Sequence, residues 1–123
     1  MLEFSEVVVF VGSTDLARAR DFYEGVLGLP IQRHARFVSS FRAAGITVRL
    51  TLMDQVEPPT YTVLGWSVPN IEETVRTLMS RGVQFERFDD LDQNEWGIWE
   101  AVDGAQVAWF KDPDGNVLSL TQA

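Results

Sequence analysis

WFKDPDGNVLSL, residues 109–120, reads as an aromatic strand, a tight Asp-Pro-Asp-Gly turn and a second strand alternating apolar with small polar side chains. Proline presets the backbone for a turn and glycine takes the positive φ that closes it, so the stretch predicts an antiparallel pair. Upstream, Asp103-Gly104 is a hairpin signal between strand-like runs at 97–102 and 106–111. Residues 83–88 also read as a strand, after a helix whose apolar face is Ile71, Val75, Leu78 and Met79. That helix opens on a capping box, Asn70 with Glu73 three residues on, and Gly82 ends it. A strand at 61–68 precedes it.

The same order occurs earlier in the chain. Val7 to Val11 form a β-branched strand, and Asp15 caps a helix with Leu16, Ala19, Phe22, Tyr23, Val26 and Leu27 on one face, ended by Gly28. Strands are expected at 31–39, 41–44 and 46–53, the last with Ile46, Val48, Leu50 and Leu52 on one face and Thr47, Arg49 and Thr51 on the other. Pro58 and Pro59 cannot feed a sheet ladder, so 55–60 reads as a linker. A repeat in element order predicts an α+β fold of two βαβββ modules, 1–54 and 61–123, within a single domain, 1–123.

Composition narrows the chemistry. The chain of 123 residues, 46% hydrophobic and 23% charged, suits one soluble domain, and no apolar run approaches the roughly 20 residues a bilayer needs. MLEFSEVVVF carries acids where a signal peptide carries bases, so a cytoplasmic location is expected, with no membrane partner. The absence of cysteine closes disulfide and thiolate chemistry. A net charge of −8 repels nucleic acid and favours a cationic small molecule. Five carboxylates lie within 86–95, just before Trp96 and Trp99. Neither G-x-G-x-x-G nor G-x-x-x-x-G-K-[ST] occurs, so nucleotide binding has no support.

VFVGSTDLARARDFYEGVLGL, residues 9–29, resembles the first strand and helix of the vicinal oxygen chelate superfamily, which includes glyoxalase I, extradiol dioxygenases, fosfomycin-resistance enzymes and bleomycin-binding proteins. WFKDPDGNVLSL is similar to its closing turn and strand, and the order of elements between them fits. The resemblance implies a cup-shaped mixed sheet with helices outside, and metal ligands on the first, fourth, fifth and eighth strands. Those positions carry Glu6, Arg49 or Thr51, Val63 and Ser119 here. One conventional ligand in four does not suit a divalent transition metal, so no metal or cofactor is expected.

By alternation, Glu6, Val8 and Phe10 face the cup, as do Tyr61, Val63, Gly65 and Ser67, and Val117, Ser119 and Thr121. Glu6 and Arg49 are expected to pair across a polar floor that includes Thr47 and Thr51. Trp96, Trp99 and Trp109 are expected to sandwich a ligand, while Trp66 belongs to the core. His34, the lone histidine, and Glu6 are the candidates for a catalytic base. The ligand set is thus Glu6, His34, Arg49, Thr51, Tyr61, Trp96, Trp99, Trp109 and Ser119. The implied function is metal-independent binding or sequestration, by a homodimer, of a planar and cationic small molecule in an acidic aromatic crevice. The alternative is a glyoxalase- or dioxygenase-type lyase, isomerase or oxidoreductase acting on a small metabolite.

Overall fold

The computed structural model describes residues 1–123 as two compact units, 1–57 and 58–123. In the first, β1 (Val7–Ser13) leads to α1 (Leu16–Arg20), which widens into a π-helical turn over Asp21–Val26. Short β2 (Arg33–His34), β3 (Val38–Ala43) and β4 (Ile46–Leu52) follow. In the second, β5 (Leu64–Ser67) leads to α2 (Ile71–Ser80), then β6 (Trp99–Glu100), β7 (Gln106–Lys111) and β8 (Val117–Gln122). Each unit forms a four-stranded mixed sheet, ordered β1-β4-β3-β2 and β5-β8-β7-β6. Last strand lies parallel to first in both, β1 with β4 and β5 with β8, and the other pairs are antiparallel. The fold is α+β, a duplicated βαβββ arrangement.

The helices form where the sequence caps them. Asp15 Oδ1 accepts from the Arg18 amide at 3.1 Å, and Asn70 Oδ1 accepts from the Glu73 amide at 3.1 Å, satisfying donors that a helix start leaves open. Ala19 and Tyr23 bury against the first sheet beside Val11, Phe41, Val48 and Leu50, with the Tyr23 and Phe41 rings stacked at 5.8 Å. In the second unit Ile71, Val75 and Leu78 bury with Ala108, Phe110, Leu118 and Leu120. Met79, expected on this face, is 41% exposed. No helix is long and apolar enough to cross a membrane.

Several strands are shorter than their residues predict. The run 31–39 breaks because the Ala35 amide bonds the Val38 carbonyl at 2.8 Å, turning the chain without a glycine or proline to mark the place. Residues 83–88 form no strand: Phe85 makes one isolated bridge to Phe110, and the Glu86 amide bonds the Trp109 carbonyl. Only Trp99 and Glu100 of 97–102 pair in a strand. Tyr61 lies outside β5 and is 71% exposed.

The closing turn is built as its residues require. Asp112 Oδ1 accepts from the amides of Asp114 and Asn116, and its Oδ2 accepts from the Asn116 side-chain amide at 2.8 Å. Gly115 takes a φ of 87°, which a side chain would resist.

Candidate functional site

Each sheet has one face covered by its helix and one free of it, and strand register decides which residues share the free face. In the first unit, Phe10 pairs with Arg49, Arg49 with Ser40 and Ser40 with Arg33, a single row across all four strands. Thr47 with Arg42, and Thr51 with Val38, form flanking rows on the same face. The Arg49 guanidinium sits over the Phe10 ring, 5.7 Å from its centroid.

Glu6 joins this face but does not pair with Arg49. Its Oε2 accepts from Arg42 Nη1 at 2.8 Å and from the Thr47 hydroxyl at 3.1 Å. Arg42 stands directly opposite Thr47, one row nearer to Glu6 than Arg49 does, so it reaches the carboxylate first.

His34 lies on the other face. It pairs in register with Ser39, which pairs with buried Leu50, and its Nδ1 is 3.0 Å from the Ser39 hydroxyl. Arg20 Nη1, from α1, stands 3.2 Å from both ring nitrogens. The structure therefore separates His34 from Glu6, Arg49 and Thr51.

In the second unit the free face carries Gly65, Ser67, Val107, Trp109, Val117, Ser119 and Thr121 by register. Trp109 is directly opposite Ser119, and Trp99 joins through its pairing with Val107. The Trp99 and Trp109 rings lie 6.1 Å apart, and Phe88 meets Trp109 edge-on at 5.3 Å. Ser119 is 8% exposed, and a Cβ on Gly65 would stand 2.6 Å from its hydroxyl oxygen, so the serine occupies space that only glycine leaves. Trp96 does not belong to this group. Its ring packs beneath Arg76 of α2, 4.8 Å from the guanidinium.

Next to β6, the edge strand, lies a cavity of about 330 Å³ lined by Asp92, Asn94, Ile98, Trp99, Glu100 and Gln106. Its wall is the loop from 87 to 97, held by one backbone bridge, Gln93 to Trp99, and by several side chains. The Gln93 amide nitrogen donates to the carbonyls of Glu86 and Gly97 while its oxygen accepts from the Phe88 amide. Asn94 Oδ1 accepts from the amides of Trp96 and Ile98, and the Arg87 guanidinium donates to the carbonyls of Asn94 and Glu95. Asp92 and Glu100 take part in no ion pair. Glu100 and Gln106 alternate with Trp99 and Val107 in register, so their side chains lie on the opposite face of the hairpin from Trp109.

Of this cavity, the sequence pointed to Trp99 and to the acidic segment that includes Asp92. Asn94, Ile98, Glu100 and Gln106 were missed because the loop's path, and so their convergence, is set by side-chain hydrogen bonds with no periodic signal.

The acid excess is also unequally divided. Residues 1–57 hold seven acids against six arginines, whereas 58–123 hold eleven acids against four basic residues.

Comparison with solved structures places this architecture. A member of the glyoxalase/bleomycin resistance protein/dioxygenase superfamily from Sphaerobacter thermophilus aligns with a TM-score of 0.76 at 24% identity, over 100% of both chains. Lactoylglutathione lyase from Agrobacterium tumefaciens aligns with a TM-score of 0.74 at 12% identity, over 99% of this chain and 96% of its own. A glyoxalase/bleomycin resistance protein/dioxygenase from Alicyclobacillus acidocaldarius aligns at 0.71 and 20% identity, over 96% and 90%. These likenesses are of fold. No curated protein matches the sequence significantly. The model of one family spans residues 5–120, from the strand that carries Phe10 to the one that carries Ser119, and the chain belongs to that family, the Glyoxalase/Bleomycin resistance protein/Dioxygenase superfamily.

Proposed function

We propose that this chain is a metal-independent small-molecule-binding protein that holds a planar, cationic ligand in the acidic crevice beside Trp99. The observation that carries the reading is the cavity of about 330 Å³, whose lining includes Asp92, Glu100 and Trp99. Ligand sites usually fall between about 300 and 1,000 Å³, so its size suits a small organic cation. Two carboxylates without ion-pair partners favour positive charge. Ile98 supplies an apolar wall, and Gln106 an amide able to donate or accept.

The donor set at the family's metal positions does not fit a divalent transition metal. Val63 offers no donor atom, Arg49 carries a positive charge, and Glu6 already neutralises Arg42. The Ser119 hydroxyl is a weak neutral donor, and no three His, Asp or Glu side chains gather with ligand spacing. The reading also takes the protein to be a cytoplasmic homodimer; light scattering after size exclusion tests the dimer.

Titration with proflavine, a planar cation, followed by tryptophan fluorescence tests the ligand class. Saturable binding below about 1 mM is expected, weakened about tenfold by combining Asp92→Asn with Glu100→Gln. Absence of saturation, or equal binding by the double variant, would overturn the reading. So would stoichiometric, tight uptake of zinc, nickel, manganese or ferrous iron by chelator-treated protein.

A further inference from the structure

We propose that Asn94 decides which cations the acidic crevice accepts: its side-chain Nδ2 donates to a carbonyl oxygen of the ligand, so the site selects a cation that carries a hydrogen-bond acceptor on the same flat framework. The inference rests on the reading of the crevice beside β6 as a site for a planar cation, and it adds what charge alone does not supply. Asp92 and Glu100 attract any cation of suitable size. Discrimination among cations needs a group of the opposite hydrogen-bonding sense, with its direction set before the ligand arrives.

Asn94, which lines the cavity, is such a group. Its backbone amide donates to the Ile98 carbonyl at 2.9 Å, and its carbonyl accepts from Arg87 Nη1 at 2.6 Å. Its Oδ1 accepts from the amides of Trp96 and Ile98, both at 2.9 Å. A backbone N–H can only donate, so these two bonds leave the oxygen and nitrogen of the side-chain amide no freedom to exchange places. Nδ2 makes no bond within the chain, and it is therefore the one donor that Asn94 can offer to the cavity.

Its neighbours do not duplicate it. Ile98 has both backbone groups tied to Asn94, which anchors the residue at two points. The ionised carboxyl groups of Asp92 and Glu100 only accept. The Gln106 side chain makes no hydrogen bond, so it turns its oxygen or its nitrogen to whatever occupies the cavity and imposes no sense of its own. Asn94 is exposed, so water competes for its donor, and the expected preference is that of one neutral hydrogen bond, about fivefold.

Calorimetric titration with 4-acetylbenzamidine and 4-ethylbenzamidine tests the selection. Both are amidinium cations of similar size on one aromatic ring, and only the first has a carbonyl oxygen. The acetyl compound is expected to bind about fivefold more tightly. Asn94→Asp keeps the acceptor that the Trp96 and Ile98 amides require and replaces Nδ2 by an oxygen, so the loop stays held while the donor is lost. In this variant the ethyl compound is expected to bind at least as tightly as to the native chain, because a carboxylate has been added, and the acetyl preference is expected to vanish. Equal binding of the two compounds by the native chain, or a preference that survives Asn94→Asp, overturns the proposal. If in that case the ethyl compound still binds, and Asp92→Asn with Glu100→Gln weakens it, the failure belongs to Asn94 alone and the cation reading stands. If neither compound saturates by about 10 mM, both fall.

Discussion

Gly65 and Ser119 show how closely a residue's identity is tied to its neighbour across a ladder. On an edge strand, alanine would ordinarily be better than glycine by roughly 0.5–1 kcal/mol, because glycine loses more freedom on folding. Here an added Cβ meets the Ser119 hydroxyl at 2.6 Å and its carbonyl oxygen at 3.2 Å. Gly65→Ala is therefore expected to destabilise by about 1–3 kcal/mol in urea titration. In a Ser119→Ala background the closest clash is gone, and the same substitution is expected to cost less than about 1 kcal/mol; equal costs in both backgrounds would contradict this account. Asp112 holds the closing turn through three acceptor contacts to Asp114 and Asn116, and both Asp112 and Asn116 are buried. Asp112→Ala leaves those donors unmet and is expected to cost about 2–4 kcal/mol by denaturant unfolding. Asp112→Asn keeps one acceptor and is expected to fall between.

At the scale of elements, the helices and long strands were legible because their signals are local. Asp15 and Asn70 cap where their chemistry allows, and Asn70→Ala is expected to lower stability by about 1 kcal/mol, measured as a fall in the thermal midpoint. The alternation of Thr47, Arg49 and Thr51 placed all three on one face. What was not legible depends on partners distant in sequence. Glu6 found Arg42 and not Arg49, and His34 fell on the helix side because the turn at 35–37 sets its register with Ser39. Trp96 left the tryptophan group because Arg76, on another element, offers it a cation. The loop beside β6 is the extreme case: beside a single bridge to Trp99, it is held by three hydrogen bonds of one side chain, Gln93. Gln93→Ala is expected to loosen the cavity wall without unfolding the unit, read as faster hydrogen exchange at the Phe88 amide and weaker binding of the cationic probe. Unchanged exchange at Phe88 would show that the loop is held by something else.

For the whole molecule, duplication explains why order alone identified the fold, and it also constrains how the chain reaches it. Both sheets put the last strand of the module beside the first, Val7 against Ile46 and Leu64 against Leu118, so neither sheet closes until residues far apart in sequence meet. Each closure loses chain entropy before the central pairing repays it, and topologies of this kind fold in about milliseconds to seconds instead of microseconds. The helices gain little in advance, since α1 has five regular residues before its π turn and α2 has ten, below the roughly 12–15 that stand alone in water. All four tryptophans lie in residues 58–123, so stopped-flow fluorescence reports the second unit, and far-UV circular dichroism reports both. Refolding from urea is expected to show its main fluorescence change in that millisecond-to-second range. Leu50→Ala, in the buried centre of β4, is expected to cost about 2–5 kcal/mol and to leave the fluorescence phase of the second unit on the same timescale. Complete recovery of the tryptophan signal within the mixing time would mean that the β5–β8 pairing does not limit folding.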